Sequence, residues 1–447
     1  MDILIKVGQL ILSLSILIIL HELGHFLPAK WFKTKVEKFY LFFDPWFELF
    51  KKKIGETEYG IGWLPLGGYV KIAGMIDESF DTEQMKEEPK PWEFRSKPAW
   101  QRLIIMLGGV TVNFLLGFFI YGMILWHWGE EYLPTKNVMY GVQPDSLGMV
   151  MGIQPGDNVV AVDTIELERH NPNFVRAQII IHNARSVTVE RNRERVKLPI
   201  SEELANALSK YDNKNFSLYG PRFPFVIERF IAKSPAEAAG LKTGDRIISL
   251  NGEPTPWFTD FFEKLSGITE KETKVDVGAV RTNAATGAVD TLSFAVTTGK
   301  DGKIGAYPVS LETERKPYSL AQAIPAGVTR GFNFLSTQVK AFGQMFRGKI
   351  KPQDSLGSFI TIGSMFPSTW DWETFWQMTA MLSLVLAFIN LLPIPALDGG
   401  HVMFLIFEVL TGKKPSDRFM EISTMVGFVI LISIMVFALG LDISRIL

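Results

Sequence analysis

The 447-residue sequence predicts a polytopic α-helical membrane protein with four transmembrane helices, a membrane-associated β-hairpin and two small α+β domains. Three observations lead to this fold class. Long apolar runs lie near both ends of the chain, and a more polar middle separates them. Residues 59–72 are apolar, aromatic and glycine-rich, but they are too few to span a bilayer, which takes roughly 20 residues. One stretch of the polar middle is repeated further along the chain, as a tandem pair of small domains would be.

Composition narrows the functional class. A formal net charge of −1 argues against a nucleic-acid binder, so no nucleic-acid partner is expected. The chain has no cysteine, which excludes a disulfide framework and a thiolate metal site. Any metal must therefore be held by histidine, aspartate or glutamate.

The apolar runs define the domain organisation. We predict spans at about residues 3–27, 102–128, 377–397 and 421–441. The first is interpreted as a retained helix, because it lacks a basic n-region beyond Lys6 and a small-residue cleavage site. The predicted parts are 1–128 (two spans and the hairpin loop), 129–219 and 220–312 (the repeated domains), 313–370 (an amphipathic membrane-surface helix and linker) and 371–447 (two spans).

Basic residues set the predicted orientation. Lysines and arginines cluster in the loop between the first two spans and in the loop between the last two, so both loops are expected in the cytoplasm. The termini and the long middle section are then on the other side of the membrane.

The first cytoplasmic loop contains the predicted hairpin. Short β-forming runs flank Pro65 to Gly68, and we predict that they pair and dip into the membrane, where irregular backbone needs shelter from lipid. An interfacial loop with tryptophan anchors is the alternative. A helix over Tyr318–Phe346 has apolar residues at helical spacing. It is expected to lie on the membrane surface or against the bundle, with a buried core helix as the alternative.

Two segments of the polar middle match each other, residue by residue, at a constant separation in sequence. Gly152–Asp163 matches Gly240–Asn251, and each copy predicts a helix end, a Gly-Asp turn and a strand. The pattern resembles the circularly permuted PDZ domains of bacterial envelope proteases. PDZ domains bind extended peptides along an open sheet edge, so these domains are expected either to bind peptide or to obstruct access.

The first span carries a candidate metal site. His21 and His25 are one helical turn apart and share a face, so they can grip one Zn²⁺, and Glu22 can act as general base. Ionisable groups inside a spanning helix are costly and by default mark function. The alternative is a helix end whose polar residues are satisfied structurally.

Asp398 is the candidate third ligand. It follows two prolines that break the third span, and catalytic zinc typically takes three protein ligands. At ~1.5 Å per residue, His21 is about 27 Å along the first span and Asp398 about 30 Å along the third. Both spans run inward, so the two residues are expected at similar depth near the cytoplasmic face.

A zinc-bound water with Glu22 as base could hydrolyse a peptide bond. Inside a membrane, a helical substrate must unwind before its peptide bonds can be attacked. An unwound segment can pair with a sheet edge, and an amide side chain can hold a freed backbone group. The candidate substrate-binding residues are Gly67, Gly68 and Tyr69 in the hairpin and Asn390 and Pro393 at the end of the third span. Asn113 in the second span is a candidate site-lining residue because it needs an internal partner.

Four motifs together resemble the site-2 protease family: His21 to His25, Gly67 to Val70, Asn390 to Pro393 and Leu397 to His401. The resemblance implies an intramembrane zinc metalloprotease of the bacterial inner membrane. Its implied ligands are His21, His25 and Asp398, with Glu22 as the base and Asn390 assisting substrate binding. The implied substrates are single-span proteins, typically anti-sigma factors already shortened by an upstream site-1 type protease, and remnant signal peptides. The repeated domains would act as a size filter.

Two other classes of protein fit parts of the sequence. One is a catalytically silent membrane scaffold that binds peptides through its repeats, although a scaffold needs neither Glu22 nor the metal ligands. The other is a transporter in which the histidines and the carboxylate relay protons; it would hold no stoichiometric metal.

Overall fold

The computed structural model describes residues 2–65, 67–75, 88–210, 213, 217–231, 233–268, 272–282, 287–300 and 302–446. The chain divides into two compact units. We call residues 1–130, 317–342 and 355–447 the helical unit, and residues 131–316 and 343–354 the middle unit.

The first part of the chain alternates long helices with a small sheet. It comprises α1 (Asp2–Trp31), β1 (Val36–Leu41), β2 (Phe43–Ile54), β3 (Thr57–Leu64), β4 (Tyr69–Ile72), a 3₁₀ turn (Phe94–Ser96) and α2 (Ala99–His127).

The second part is a series of short strands and helices. It comprises β5 (Glu130–Tyr132), a 3₁₀ turn (Thr135–Asn137), β6 (Val142–Pro144), α3 (Ser146–Met151), β7 (Asn158–Val162), β8 (Ile165–Glu166), α4 (Pro172–Ile180), β9 (Ser186–Arg191), β10 (Glu194–Pro199), α5 (Glu202–Ser209), β11 (Tyr219–Pro221), β12 (Phe225–Phe230), α6 (Pro235–Ala238), β13 (Arg246–Leu250), β14 (Glu253–Pro254), α7 (Phe258–Ser266), β15 (Lys274–Thr282), β16 (Val289–Thr297), β17 (Ala306–Pro308) and β18 (Glu314–Lys316).

The last part is helical. It comprises α8 (Leu320–Phe346), α9 (Pro352–Ser355), α10 (Phe359–Ser364), α11 (Trp372–Asn390), α12 (Asp398–Thr411) and α13 (Asp417–Ile446).

Among the described residues, four helices are long and apolar enough to cross a membrane: residues 3–31, 99–127, 372–390 and 418–445. They coincide with the four predicted spans, and the architecture is that of a membrane protein. The third span ends at Asn390 instead of near residue 397. Pro393 and Pro395 follow it and have no amide hydrogen to extend the helix, so the chain turns and begins α12 at Asp398.

The predicted hairpin is wrong in its pairing. The sheet order is β2-β3-β1-β4. Strands β3 and β4, which were expected to pair with each other, therefore lie on opposite sides of β1. β1 is parallel to β3 and antiparallel to β4. The hairpin that does form joins β2 to β3 through a turn at Gly55, whose φ is 63°. Strand β4 consequently lies at one edge of the sheet and β2 at the other.

Helix α8 packs against another helix, which is one of the positions expected for it. Within the helical unit it packs on α2, where a Cβ on Gly327 would lie 2.6 Å from the Gly122 Cα and a Cβ on Gly331 would lie 2.4 Å from the Phe118 ring. This contact agrees with packing against the bundle.

A buried carboxylate joins α13 to α10. Asp442 accepts hydrogen bonds from the backbone and hydroxyl groups of Ser358 and Thr361, at 2.6–3.0 Å. Arg445 donates to the same carboxylate at 3.0 Å. Asp442 therefore caps the start of α10 from another helix.

The middle unit contains two similar α+β halves. Their main sheets have the orders β10-β9-β7-β8 and β16-β15-β13-β12-β17, with β14 paired to β13. Smaller two-stranded sheets pair β11 with β6 and β18 with β5. Each half packs an apolar core under its main sheet.

The same ion pair recurs at equivalent positions of the two halves. Asp157 accepts two hydrogen bonds from Arg191, each 2.8 Å long, and Asp245 accepts two from Arg281, each 2.7 Å long. Each arginine also donates to the carbonyl of a glycine: Arg191 to Gly152, which follows α3, and Arg281 to Gly240, which follows α6. The sequence repeat is therefore a structural repeat.

Candidate metal centre

Helix α1 carries the first part of the candidate site. Its apolar sequence favours a continuous membrane helix, which places His21 and His25 on one face. Pro28 lies inside this helix and has no amide hydrogen, so the carbonyl of Gly24 loses its usual helical donor. That carbonyl lies against α2, where a Cβ on Gly108 would be only 1.9 Å from it.

Two adjacent glycines of α2 make room for the histidines. A Cβ on Gly24 would lie 2.5 Å from the Gly108 carbonyl oxygen, so the two backbones are in direct contact. A Cβ on Gly109 would lie 2.3 Å from His25 Nε2 and 2.7 Å from His21 Cε1. Small residues permit such close approach of membrane helices. The bare backbone at Gly109 therefore forms one wall of the site.

Helix α12 supplies the carboxylate. Asp398 is its first residue, and Gly399 and Gly400 pack on the turn before it. A Cβ on Gly399 would be 2.2 Å from the Leu392 carbonyl oxygen, and one on Gly400 would be 2.6 Å from the Ile394 carbonyl oxygen. These contacts fix the start of α12, and with it the position of Asp398.

Three possible ligand atoms converge. His21 Nε2 and His25 Nε2 are 3.3 Å apart, and each is 3.3 Å from Asp398 Oδ2. The three side chains are mostly buried, with 8–16% of their surface exposed. Asp398 Oδ2 is a buried atom that has no hydrogen-bond partner among the described residues. The sequence therefore predicted correctly which three side chains come together.

The donor set fits zinc. Tetrahedral ligands about 2.0–2.1 Å from a Zn²⁺ ion lie about 3.3 Å from one another. The three atoms have this spacing, and two imidazole nitrogens with one carboxylate oxygen are ligands that catalytic zinc commonly takes. The cluster offers three protein ligands among the described residues, so a zinc ion held there would keep a position for water.

Further groups orient the histidines. His25 Nδ1 is 2.8 Å from the Ile105 carbonyl oxygen, which fixes the proton on Nδ1 and leaves the Nε2 lone pair for a metal. The Asn113 Nδ2 atom lies 3.1 Å from His21 Nδ1, and the Asn113 Oδ1 atom has no hydrogen-bond partner within the part of the chain that the structure describes. Rotation of the amide about its Cβ–Cγ bond brings Oδ1 to the same place, where this oxygen accepts the Nδ1 proton. Both histidines then present Nε2 to the same point.

The remaining candidate residues lie at different distances from the cluster. Glu22 is buried, and His21, His25 and Asp398 are its electrostatic neighbours. Asn390 Nδ2 lies 3.4 Å from His21 Nε2, at the end of α11. Pro393 is exposed in the loop between α11 and α12.

The glycine segment before β4 lies beside helix α1. A Cβ on Gly68 would be 2.5 Å from the Ile18 side chain and 3.6 Å from Glu22 Cγ. Gly67 faces the Phe43 ring, and Tyr69 donates a hydrogen bond to Asp44 at 3.0 Å. The edge of the sheet formed by β4 therefore begins next to Glu22.

Sequence reasoning missed Gly108, Gly109 and the Ile105 carbonyl. The available signal was the adjacent pair of glycines inside an otherwise apolar span, which is typical of a close helix contact. The sequence gives no indication of which residues such glycines meet.

The chain is similar to known peptidases over most of its length. A family model described as peptidase family M50 matches residues 9–434. The chain is 26% identical to the regulator of sigma E protease of Haemophilus influenzae over 456 residues, covering 100% of both proteins. It is 27% identical to the regulator of sigma-E protease RseP of Escherichia coli, covering 98% of each. A protein of Ralstonia nicotianae, named as a candidate zinc metalloprotease, is 27% identical with 97% of each chain covered.

Proposed function

Because the chain belongs to peptidase family M50 and is a zinc protease of the site-2 type, we propose that it hydrolyses peptide bonds inside the transmembrane segments of single-span membrane proteins. The observation that carries the proposal is the cluster of three ligand atoms, mutually 3.3 Å apart, on helices that belong to the membrane-spanning part of the chain.

In this proposal His21, His25 and Asp398 hold one Zn²⁺. When bound, zinc supplies a Lewis acid that polarises a carbonyl group and makes water more acidic. The Ile105 carbonyl and Asn113 keep the imidazoles in the tautomer that binds metal through Nε2.

Glu22 is proposed as the general base. It is buried, and His21, His25 and Asp398 are its electrostatic neighbours. Glu22 takes a proton from the attacking water, whose oxygen adds to the scissile carbonyl carbon. The same carboxyl group then returns the proton to the amide nitrogen as the C–N bond breaks. The second proton of the water leaves the new carboxyl group for the amine, so the products are a carboxylate and an ammonium group, and the chain forms no covalent intermediate.

Substrate is proposed to bind as an extended segment. A helical substrate hides its carbonyls in hydrogen bonds, so it must unwind before attack. Strand β4 is an edge strand that starts beside Glu22, and an edge strand offers unpaired backbone groups to an added strand. Gly67, Gly68 and Tyr69 lie at the start of this edge. Asn390 and Pro393 are proposed to contact the freed substrate backbone from the opposite end of the site.

We place the active site toward the cytoplasmic face of the bacterial inner membrane and the middle unit in the periplasm. The basic loops support this orientation. The two halves of the middle unit are proposed to be PDZ-like domains that admit only shortened substrates. Two relatives are named as regulators of sigma E, which supports anti-sigma factors as substrates. We further propose that these are cut after an upstream protease has shortened them, and that remnant signal peptides are a second class.

Glu22→Gln and Asp398→Asn test this mechanism in the purified full-length protein. A single-span model substrate should remain uncut by both variants. Glu22→Gln should keep one zinc per chain, because Glu22 is not a ligand, whereas Asp398→Asn should lose most of its zinc. Retention of zinc and cleavage by Asp398→Asn would refute the ligand set, and cleavage by Glu22→Gln would refute the base.

A further inference from the structure

The loop that leads into the carboxylate ligand is held from two sides. We call residues 391–397, between α11 and α12, the ligand loop, because Asp398 follows it directly. On one side, Gly399 and Gly400 of α12 pack against the backbone of this loop. On the other side lies Gly427 of α13, the fourth span, which supplies no metal ligand. The proposed hydrolysis gives Gly427 no role.

Gly427 is in backbone contact with the ligand loop. A Cβ at this position would overlap the carbonyl group of Pro395, and it would lie 3.1 Å from the Pro395 Cα. The carbonyl oxygen is the nearest of these atoms, so the carbonyl points at Gly427. Small residues allow such close approach between membrane segments. Because the atoms that a Cβ would meet belong to the backbone, any side chain at position 427 must push α13 and the loop apart.

The contacted carbonyl belongs to a tight turn. The backbone amide of Leu397 donates a 3.0 Å hydrogen bond to the Ile394 carbonyl oxygen. Pro395 is the second residue of this turn, and Ala396 is the third, with a φ of 82°. Proline at the second position and a positive φ at the third are the features of a type II turn. The third position of such a turn usually carries glycine, and here it carries alanine.

The turn is strained at Ala396. A residue with a Cβ rarely adopts a positive φ, and such a conformation persists only where the surrounding structure imposes it. Ala396 is only 7% exposed, so it is closely surrounded. A type I turn would remove the strain, because its third residue has a φ of about −90°, but the central peptide would then be flipped. Since that flip would take the Pro395 carbonyl away from Gly427, the contact with α13 favours the strained turn.

Helix α13 is fixed in register at a second point. Asp442 lies 15 residues beyond Gly427, which is about 22 Å along a helix. Its carboxylate accepts hydrogen bonds of 2.6 Å from the hydroxyl groups of Ser358 and Thr361 on α10. The buried residues of α13 are small or polar and recur at helical spacing: Thr424, Gly427, Ala438 and Asp442. The helix therefore cannot slide to bring another residue opposite the ligand loop without losing the Asp442 contacts.

We propose that Gly427 is a positioning residue for the metal centre. Its bare backbone holds the Pro395 carbonyl and keeps Ala396 in the type II turn that places Asp398 opposite the two histidines. Metal–ligand distances are fixed within about 0.2 Å, so a small shift of this turn weakens metal binding. The fourth span thus takes part in metal binding through the loop and without a ligand of its own. This role rests on the ligand set given under Proposed function.

Gly427→Ala tests the contact in the purified full-length protein. The added Cβ should displace the Pro395 carbonyl, and zinc should bind about 10–100-fold more weakly, as for other groups that orient metal ligands. Competition with a chelator measures this affinity without reference to proteolysis. Gly440→Ala makes the same change on the same helix, where a Cβ would meet nothing within 4 Å. That control should bind zinc as tightly as the wild-type protein.

Substitutions of Ala396 separate positioning from general packing. Glycine adopts a positive φ without a Cβ penalty, so Ala396→Gly should keep the type II turn even when α13 no longer imposes it. In that background, the loss of zinc affinity caused by Gly427→Ala should be at least roughly fivefold smaller, because the strain of a left-handed alanine is absent. Ala396→Val leaves α13 unchanged, but a β-branched residue resists a positive φ. It should therefore weaken zinc binding by itself.

Three results would overturn the role of Gly427. The first is wild-type zinc affinity in Gly427→Ala or in Ala396→Val. The second is an equal loss of affinity from Gly427→Ala in the wild-type and Ala396→Gly backgrounds. The third is a Gly427→Ala protein whose zinc-free form has no cooperative thermal unfolding, since Gly427 would then be a general packing residue. Asp398→Asn separates the two proposals: if it loses zinc while Gly427→Ala does not, only the role of Gly427 is contradicted, whereas zinc retention by Asp398→Asn contradicts the ligand set.

Discussion

A substitution of Gly109, beside the metal centre, is predicted to have a large effect on zinc binding. Because Gly109 presents no side chain, His25 Nε2 can occupy the space that a Cβ would fill. Gly109→Ala should therefore displace a ligand nitrogen or separate α1 from α2. We expect loss of stoichiometric zinc and of cleavage, measured by metal analysis and by turnover of a single-span substrate.

Gly440→Ala is the matched control for this substitution. Gly440 also lies in a spanning helix, but a Cβ there would meet nothing within 4 Å. The Gly440→Ala variant should keep its stoichiometric zinc and its cleavage of the single-span substrate. If Gly109→Ala also kept its full zinc content, the close contact between α1 and α2 would not define the site as described.

Asn113 acts on the metal through His21. Groups that orient metal-bound histidines typically contribute 10–100-fold to metal affinity. Asn113→Leu keeps most of the volume and removes the amide, so zinc should bind about 10–100-fold more weakly, as measured by competition with a chelator.

Ser383→Ala provides the comparison for Asn113. Ser383 donates a 2.7 Å hydrogen bond to the Asn113 backbone carbonyl, so its hydroxyl acts on the backbone of α2 and not on the Asn113 amide. Its loss should leave zinc affinity nearly unchanged. Equal weakening in both variants would mean that helix packing, and not the amide, controls the metal.

At the residue scale, the sequence could indicate which side chains come together where one helix defines the geometry. The spacing of His21 and His25 follows from the helical turn alone, and the similar depth of Asp398 follows from helix lengths. Gly109 was not predicted because its role exists only where two helices meet, and the sequence does not specify the contact.

At the scale of elements, α12 is held at both ends. Asp398 lies at its start, and near its other end Glu408 forms a 2.5 Å ion pair with Arg102 of α2. Both side chains are largely buried, and Arg102 also donates to the Lys97 carbonyl oxygen at 2.9 Å. The pair therefore fixes α12 against the helix that carries Gly109.

Removing one member of this pair should be costly. A buried charge that loses its partner typically destabilises a protein by about 3–5 kcal/mol. Glu408→Ala should lower the free energy of unfolding in detergent by about this amount and should also weaken zinc binding. The double variant R102M/E408M should be less destabilised, because it leaves no unpaired charge.

An exposed pair serves as the control. Arg195 and Glu166 are 2.8 Å apart, but more than half of each side chain is exposed. Exposed ion pairs contribute about 0–1 kcal/mol, so Glu166→Ala should change the free energy of unfolding by no more than that. A similar loss in Glu166→Ala and Glu408→Ala would contradict a special role for the α2–α12 pair.

The error in the hairpin also belongs to this scale. The β-forming runs on either side of Pro65–Gly68 are visible in the sequence and correspond to β3 and β4. Their closeness in sequence predicts that they pair with each other. β1, which carries the charged residues Glu37 and Lys38, does not look like an inner strand, yet it lies between β3 and β4. Strand pairing depends on long-range contacts that local sequence does not encode.

At the scale of the whole molecule, the four spans and the internal repeat could be predicted because both are properties of composition along the chain. Span length follows from bilayer thickness, and the repeat needs only self-similarity. The end of the third span at Asn390 was misjudged, since the apolar run continues through Pro393 and Pro395 although the helix does not.

Membrane orientation is the property of the whole molecule on which the proposed function depends. Lys413 is exposed in the loop between α12 and α13, whereas Val289 is exposed in the middle unit. If the basic loops face the cytoplasm, these two positions are separated by the membrane. In spheroplasts, an impermeant thiol reagent should label Val289→Cys at once and should label Lys413→Cys only after permeabilisation, with the cysteine-free parent as the blank. The reverse pattern would put Asp398, 15 residues before Lys413, near the opposite face, and substrates would then have to be cut on the periplasmic side.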